Sequence, residues 1–229
     1  MIHLFASCSQ ATKFCAKVQK NWKKLSVVPF LFTFFNNSLY FCCPKEECAT
    51  NGHAGTTSER NMKKNIIIQD SVLQKAAEEG MDAFVNVFVT AINDAIDGEL
   101  TLENMEQLNA DQITLLSWEI LHDEVMDGGF VQLIYNGYGP FIFKNPFAKA
   151  LRQWEMREPS KLIYDAHTLW LKHREKIEKE MSDEEFMALF EQFPDFEDLD
   201  DKFIENEEVW TEDIAHYIDD HLEKFAVIK

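Results

Sequence analysis

The side chains best suited to chemistry in this sequence form two acid–histidine pairs at helical spacing. Glu119 lies three residues before His122, and Asp213 lies three residues before His216. One helical turn places both members of such a pair on one face, and helical di-iron proteins bind metal through two Glu-x-x-His pairs and two further Glu residues. The second pair is led by Asp, and this spacing arises readily by chance in an acidic chain. A helical metalloprotein is therefore an alternative hypothesis, and we expect no bound metal.

Motifs for other catalytic chemistries are absent from the sequence after residue 62. It contains no G-x-S-x-G nucleophile elbow, no G-x-G-x-x-G and no Walker A sequence. All five cysteines precede residue 49, so Cys/His catalysis is excluded from the rest of the chain. We expect neither enzymatic activity nor a cofactor.

The chain divides into two parts of opposite charge. Residues 1–61 contain seven Lys/Arg and three Asp/Glu, a net charge of +4, whereas residues 62–229 contain 15 and 37, a net charge of −22. Nucleic acids and anionic membranes are polyanions, so the second part is not expected to bind either directly. The composition predicts a basic, Cys-containing extension over 1–61 and an acidic domain over 62–229.

The basic extension has several interpretations. Lys23 and Lys24 precede an apolar run of signal-peptide length, but no small-x-small cleavage site follows it closely. Met62 begins Met-Lys-Lys-Asn, which is typical of a bacterial start, so residues 1–61 are also interpretable as an over-long start. A targeting segment and an extension, either disordered or folded, are the alternatives. Peptide mapping of the native protein would distinguish them.

Apolar spacing after residue 62 predicts an all-α fold: a compact multi-helix domain with an acidic C-terminal helical region. Apolar residues recur at i, i+3, i+4 and i+7 over 81–96 and 109–126. The sequences Asn109–Gln112 and Ser182–Glu185 match capping boxes. Further helix starts are predicted at Asp70 or Ser71, at Asn145-Pro146 and at Pro159-Ser160, and two last helices over roughly 197–206 and 211–224.

A glycine-rich motif from Gly128 to Gly139 separates two of these predicted helices. Gly128 and Gly129 interrupt the helical pattern, since glycine permits positive φ and close helix approach. We expect Gln132 and Asn136 to hydrogen-bond backbone groups of the loop. This favours a structural role for the motif over a ligand pocket, because polar groups inside a packed turn usually satisfy backbone.

The second unusual feature is a concentration of acids near the C-terminus. Residues 181–223 contain 17 Asp/Glu and a single lysine, and apolar residues alternate with them at helical spacing. Such helices can be anchored in a core, which fixes their carboxylates on a rigid surface. Duplex DNA carries one charge per about 1.7 Å of its axis, a density that one acidic helix face cannot reach but several adjacent helices approach.

An acidic surface of this kind is suited to a basic DNA-binding groove. The leading hypothesis is an acidic binding module, cytoplasmic, that mimics DNA and sequesters a basic DNA-binding protein such as a transcription factor. An immunity-type inhibitor of a toxin is an alternative that uses the same electrostatics, and an acidic scaffold without a DNA-related role is another. The expected contact residues are ten carboxylates: Asp195, Glu197, Asp198, Asp200, Asp201, Glu205, Glu207, Glu208, Glu212 and Asp213.

The region from Trp118 to Gly139 resembles the bacterial DNA-mimic protein family. The matching pattern is a Trp/Glu-containing helix, a further Glu, a Gly-Gly-Phe-x-Gln segment and an Asn before Gly. Asp127 departs from it, because many relatives have Asn there. The resemblance extends over about residues 70–225, and residues 1–61 have no counterpart in it. The residues that carry it are Glu119, Glu124, Gly128, Gly129, Phe130, Gln132 and Asn136.

The resemblance implies an all-α fold that often forms homodimers and has no known catalysis. It also implies that acidic side chains imitate DNA phosphates and block the DNA-binding surface of a transcription factor. This activity depends on where the acids lie on the fold.

Overall fold

The computed structural model describes residues 65–98, 100–179 and 181–229, so the predicted extension over 1–61 lies outside the described residues. Two short strands are present, β1 (Ile67–Ile68) and β2 (Val227–Ile228). A 3₁₀ turn, Pro194–Phe196, precedes the last long helix. The helices are α1 (Asp70–Glu79), α2 (Met81–Ala95), α3 (Leu102–Met105), α4 (Ala110–Tyr135), α5 (Gly139–Lys144), α6 (Phe147–Gln153), α7 (Arg157–Ile177), α8 (Asp183–Gln192), α9 (Glu197–Asp220) and α10 (Leu222–Phe225).

The prediction of an all-α fold is confirmed, and the core lies where α4 and α9 meet α2 and α7. The side chains of Trp118 on α4 and Phe203 on α9 are almost fully buried, and their rings lie 5.7 Å apart. Trp210 contacts both rings edge-on. This aromatic cluster fixes the orientation of α9 about its own axis. Among the described residues, no helix is both long enough and apolar enough to span a membrane.

Both predicted capping boxes are confirmed. At the start of α4 the backbone N–H of Gln112 donates to Asn109 Oδ1 at 2.9 Å, and the backbone N–H of Asn109 donates to Gln112 Oε1 at 3.0 Å. The same two side chains donate to the carbonyl groups of Lys224 and Phe225. The capping box therefore also holds the C-terminal segment against α4. Ser182 and Glu185 cap α8 in the same reciprocal way.

The predicted start of α1 at Asp70 is confirmed, but its predicted capping residue is wrong, and the predicted start of α7 is wrong by two residues. Neither Asp70 nor Ser71 is the N-cap of α1; Gln69 occupies that position without a side-chain cap. The Asp70 amide instead donates to the carbonyl of Lys229, so the far end of the chain satisfies this helix terminus. The helix α7 begins at Arg157, which places Pro159 in the first turn, where a missing N–H costs no intrahelical bond.

The two helices predicted over 197–206 and 211–224 are largely one helix. α9 continues without a break from Glu197 to Asp220, and a short further helix follows His221. The sequence between the two predicted segments holds neither Gly nor Pro, and burial of Trp210 and Thr211 keeps that stretch helical. This correction matters because it aligns the acids of the region along one rigid axis.

The two short strands are absent from the sequence-based prediction. Ile67 pairs with Val227 and Ile68 with Ile228 in a parallel arrangement. Two-residue strands leave no periodicity to detect, and their pairing depends on the ends of the fold meeting in space.

Candidate partner-binding surface

Five carboxylates of α9 form a continuous line on its solvent side, here called the acidic stripe: Glu197, Asp201, Glu205, Glu208 and Glu212. They follow one another at intervals of four, four, three and four residues, and all five side chains are exposed. Such intervals keep residues on one helix face, and the stripe extends about 22 Å along the axis. The opposite face of α9 carries Phe203, Trp210 and Ile214, all buried, so the stripe cannot turn inward.

Two more of the ten predicted carboxylates, Asp198 and Asp213, are exposed beside the stripe. Asp195 lies in the turn before α9, where its Oδ2 accepts hydrogen bonds from Lys172 Nζ at 2.6 Å and from the His173 ring at 3.3 Å. The hydrogen bond from Lys172, and then that from His173, lower the pKa of Asp195 below its usual range. Asp195 is thus an exposed carboxylate whose charge is locally balanced.

Asp200 faces the interior rather than the solvent. Its Oδ1 accepts a hydrogen bond of 2.8 Å from the backbone N–H of Phe130, at the point where α4 is interrupted. Burial raises the pKa of Asp200 to about 6, and the hydrogen bond from Phe130 partly opposes that rise. Asp200 therefore links α9 to α4, and the structure places it outside the exposed surface.

Glu207 also lies off the exposed surface, because it pairs with His122 of α4. The His122 Nε2 and Glu207 Oε1 are 2.8 Å apart, and the Glu207 side chain is only 15% exposed. The pKa of His122 is raised to about 9 by its hydrogen bond to Asp123 and by Glu207, against an opposing effect of burial. The imidazole is thus a cation at neutral pH, and it ties α4 to α9.

A cleft of about 310 Å³ lies between α2, α4 and α9, and it carries a second group of acids. Asp82, Glu119 and Asp123 line it together with His122 and Thr211. Burial, and then the charge of Asp123, raise the pKa of Glu119. The described surface therefore presents two groups of carboxylates: the acidic stripe on α9 and the acids that line this cleft.

The residues of the metalloprotein alternative do not come together. His122 is engaged by Glu207 and Asp123, whereas His216 is exposed and lies 3.6 Å from Glu212 on its own helix. Within the ranges that the structure describes, no three His, Cys, Asp or Glu side chains are arranged to hold a metal ion.

The glycine motif forms a kink within α4. Gly128 and Gly129 have non-helical backbone angles, and Gly129 has φ +73° and ψ −177°, a combination almost confined to glycine. A Cβ at Gly129 would lie 2.5 Å from Asp200 Oδ2. The absence of a side chain at Gly129 thus permits both the kink and the close approach of α9.

The amides of Gln132 and Asn136 have carboxylate partners, which differs from the expected backbone partners. Asn136 donates to Glu124 Oε2 at 2.7 Å, and Gln132 donates to Asp127 Oδ2 at 2.9 Å. Burial raises the pKa of Glu124, and the hydrogen bond from Asn136, and then that from Gln132, oppose the rise. These contacts cross the kink and join the two halves of α4.

Asp82 and Asp123, which line the cleft with Glu119, are not among the site residues predicted from the sequence. Asp123 gives a weak signal, because it lies four residues after Glu119 and next to His122. Asp82 gives none, since it reaches the cleft only through the packing of α2 against α9.

Comparison with known proteins places these features in a family. A model of the DMP19-like protein family matches residues 106–221, which include the kink and all of the acidic stripe. The DNA mimic protein DMP19 of Neisseria meningitidis serogroup B is 38% identical over 128 residues, which are 55% of this chain and 77% of that relative. The match with the family model begins after α1, α2 and α3. With a family model that covers slightly more than half of its length and a relative of this identity, the chain belongs to the DMP19-like family.

Proposed function

We propose that this chain mimics DNA and sequesters a basic DNA-binding protein such as a transcription factor. The observation that carries the proposal is the acidic stripe, a line of exposed carboxylates held on one rigid helix. The side chains of a flexible acidic tail would pay a large entropic cost to present this arrangement. Here the buried face of α9 has already fixed the backbone.

The charge density of the stripe region supports the proposal. Seven exposed carboxylates lie between Glu197 and Asp213, a length of about 24 Å, so that one charge occurs per about 4 Å of helix axis. One strand of duplex DNA carries one phosphate per about 3.4 Å of its axis. Asp82, Glu119 and Asp123, which line the cleft beside Thr211 of α9, add further carboxylates to this region. Lys202, the single Lys or Arg residue of α9, pairs with Glu158 rather than with a carboxylate of the stripe.

Similarity to a named DNA mimic also supports the proposal. The family match includes the kink that docks α9 and the complete stripe, so both the scaffold and the charged surface fall within the shared region. We propose further that the chain acts in the cytoplasm and as a homodimer. Analytical ultracentrifugation across a range of concentrations tests the dimer.

Competition for DNA-bound protein tests the proposed function. Host lysate is applied to a column of duplex DNA, and the purified chain is added to elute proteins. Each released protein is then examined alone for loss of its DNA complex when the chain is added. We expect release of at least one basic DNA-binding protein, with an affinity for the chain that falls as salt rises.

Matched variants make this test specific. The stripe variant carries Asp201→Asn, Glu205→Gln and Glu208→Gln. The control variant removes the same number of exposed acids from α1 and α7, through Glu78→Gln, Asp165→Asn and Glu175→Gln. We expect the stripe variant to lose at least tenfold in affinity, as expected for several close charge pairs, and the control to lose little. Equal losses would show that overall charge, not the stripe, drives binding, and release of no DNA-binding protein would refute the proposal.

A further inference from the structure

Two large apolar side chains are exposed within the acidic surface of α9. Ile204 is 52% exposed and Val209 is 56% exposed, whereas other apolar side chains of α9, such as Phe203 and Ile214, are buried in the core. Each lies within one helical turn of stripe carboxylates: Ile204 beside Asp201 and Glu208, and Val209 beside Glu205 and Glu212.

The two side chains border the stripe on opposite sides. They are separated by five residues, which corresponds to about 7.5 Å along the axis and about 140° around it. The stripe lies between them, so a partner that covers the carboxylates must also cover both apolar groups. Burial of apolar surface is favourable and independent of charge.

We propose that Ile204 and Val209 are apolar anchors that contact the base-reading side chains of the sequestered DNA-binding protein. This inference rests on the proposed function and extends it to the chemistry of the partner. Proteins that read the major groove place cationic side chains on phosphates and bases, and apolar side chains on thymine methyl groups. The branched methyl groups of Ile204 and Val209 occupy the corresponding place beside the carboxylates. The partner surface is therefore cationic and interrupted by apolar groups, rather than uniformly basic.

Charge complementarity favours such a partner over a second copy of this chain. A second copy that covered Ile204 and Val209 would bring its own carboxylates against the stripe, in a chain whose residues 62–229 carry a net charge of −22. Self-association through this surface would become stronger with added salt, whereas binding to a cationic partner becomes weaker.

The test uses the DNA-binding protein that the wild-type chain releases from the DNA column. Its affinity is measured for wild type, Ile204→Thr and Val209→Thr between about 50 and 300 mM salt. Over this range the Debye length falls from about 14 Å to about 6 Å. Threonine is β-branched and has a helix propensity similar to that of valine and isoleucine, so α9 is preserved. Val72→Thr is the matched control, because Val72 is an apolar residue on α1 that is 48% exposed. Circular dichroism checks that each variant is folded.

We expect each α9 variant to bind about three- to tenfold more weakly at every salt concentration, with the salt slope of the wild type. The stripe variant should instead have a shallower salt slope. If both threonine variants bind with unchanged affinity while the wild type competes normally, Ile204 and Val209 are not anchors, and the proposed function is unaffected. A variant that alters only self-association also overturns the inference. Failure of the wild type to release any DNA-binding protein refutes both proposals.

Discussion

Asp200 offers the sharpest test of how the fold holds the acidic surface. Its carboxylate accepts the Phe130 N–H at the kink, and its pKa is raised to about 6 by burial. These facts have opposite consequences for stability: the hydrogen bond stabilises the fold, whereas the buried charge destabilises it. Two substitutions separate them, because Asp200→Ala removes both and Asp200→Asn keeps an acceptor while removing the charge.

The hydrogen bond and the buried charge of Asp200 each have an effect on stability that can be expressed in kcal/mol. Loss of a side-chain acceptor at a helix start costs about 0.5–2 kcal/mol, and an N–H left unsatisfied beside the buried Phe130 raises that cost toward about 3 kcal/mol. A rise in pKa from 3.8 to about 6 corresponds to about 3 kcal/mol of preference for the neutral carboxyl. Partial solvent contact of Asp200 reduces this figure to about 1–2 kcal/mol in practice.

The direction with pH follows from linkage. Because the folded pKa lies above the unfolded value, the folded protein retains a proton that the unfolded chain has released between about pH 4 and pH 6. Asp200 therefore contributes a loss of stability as pH rises through this window. We expect Asp200→Asn to match the wild type near pH 4 and to be more stable by about 1–2 kcal/mol at pH 7.5. Asp200→Ala should be less stable than Asp200→Asn at both values.

Urea unfolding followed by tryptophan fluorescence at pH 4.5, 6 and 7.5 measures these differences, at values that bracket the expected change. If Asp200→Asn is less stable than the wild type by about 1 kcal/mol or more at pH 7.5, the charge of Asp200 at the helix start stabilises the fold by more than its burial destabilises it, which contradicts the expected balance. Gly129→Ala supplies an independent check. Its strained φ and its close approach to Asp200 together should cost about 2–4 kcal/mol, and part of that cost should vanish in the Asp200→Ala background.

Three other outcomes follow from the structure. His122 has a folded pKa of about 9, above its ordinary 6.5, so stability should be complete below about pH 6.5 and decline by about 1–2 kcal/mol as pH rises through 9; His122→Gln should remove that decline in urea unfolding. Gln112→Ala should destabilise the fold by about 1–3 kcal/mol and accelerate hydrogen exchange in α10, because Gln112 also binds the Phe225 carbonyl. Added salt should raise the melting temperature of the free chain while it weakens the complex, since screening relieves self-repulsion.

Local sequence signals predicted much of this fold. The capping boxes at Asn109 and Ser182 were identifiable because both partners lie within four residues of each other. The kink was predictable at Gly128-Gly129 for a similar reason, as glycine permits backbone angles that other residues avoid. The unbroken course of α9 was not predicted, because its continuity depends on burial of Trp210 and Thr211 against other helices.

The candidate surface was predictable in composition but not in orientation. Residue type identified ten acids, and only packing separates those that face solvent from Asp200 and Glu207, which bind Phe130 and His122. Helical spacing alone could have placed the stripe on one face. Helical spacing could not have shown that Asp200 and Glu207 bind partners on α4, because these contacts join residues that are 70 and 85 positions apart in the sequence.

The inward and outward faces of α9 are under different structural constraints. Its inward face is constrained twice, by the aromatic cluster around Phe203 and by the contacts of Asp200 and Glu207 with α4. Among the described residues, the ion pairs on its outward face are Lys202 with Glu158 and His216 with Glu212, exposed pairs that contribute little to stability. Substitutions in the stripe should therefore leave the fold unchanged while they alter the exposed charge pattern of α9. Under the proposed function, the kink and the inward face of α9 form the scaffold, and the outward residues of α9 determine which protein that scaffold binds.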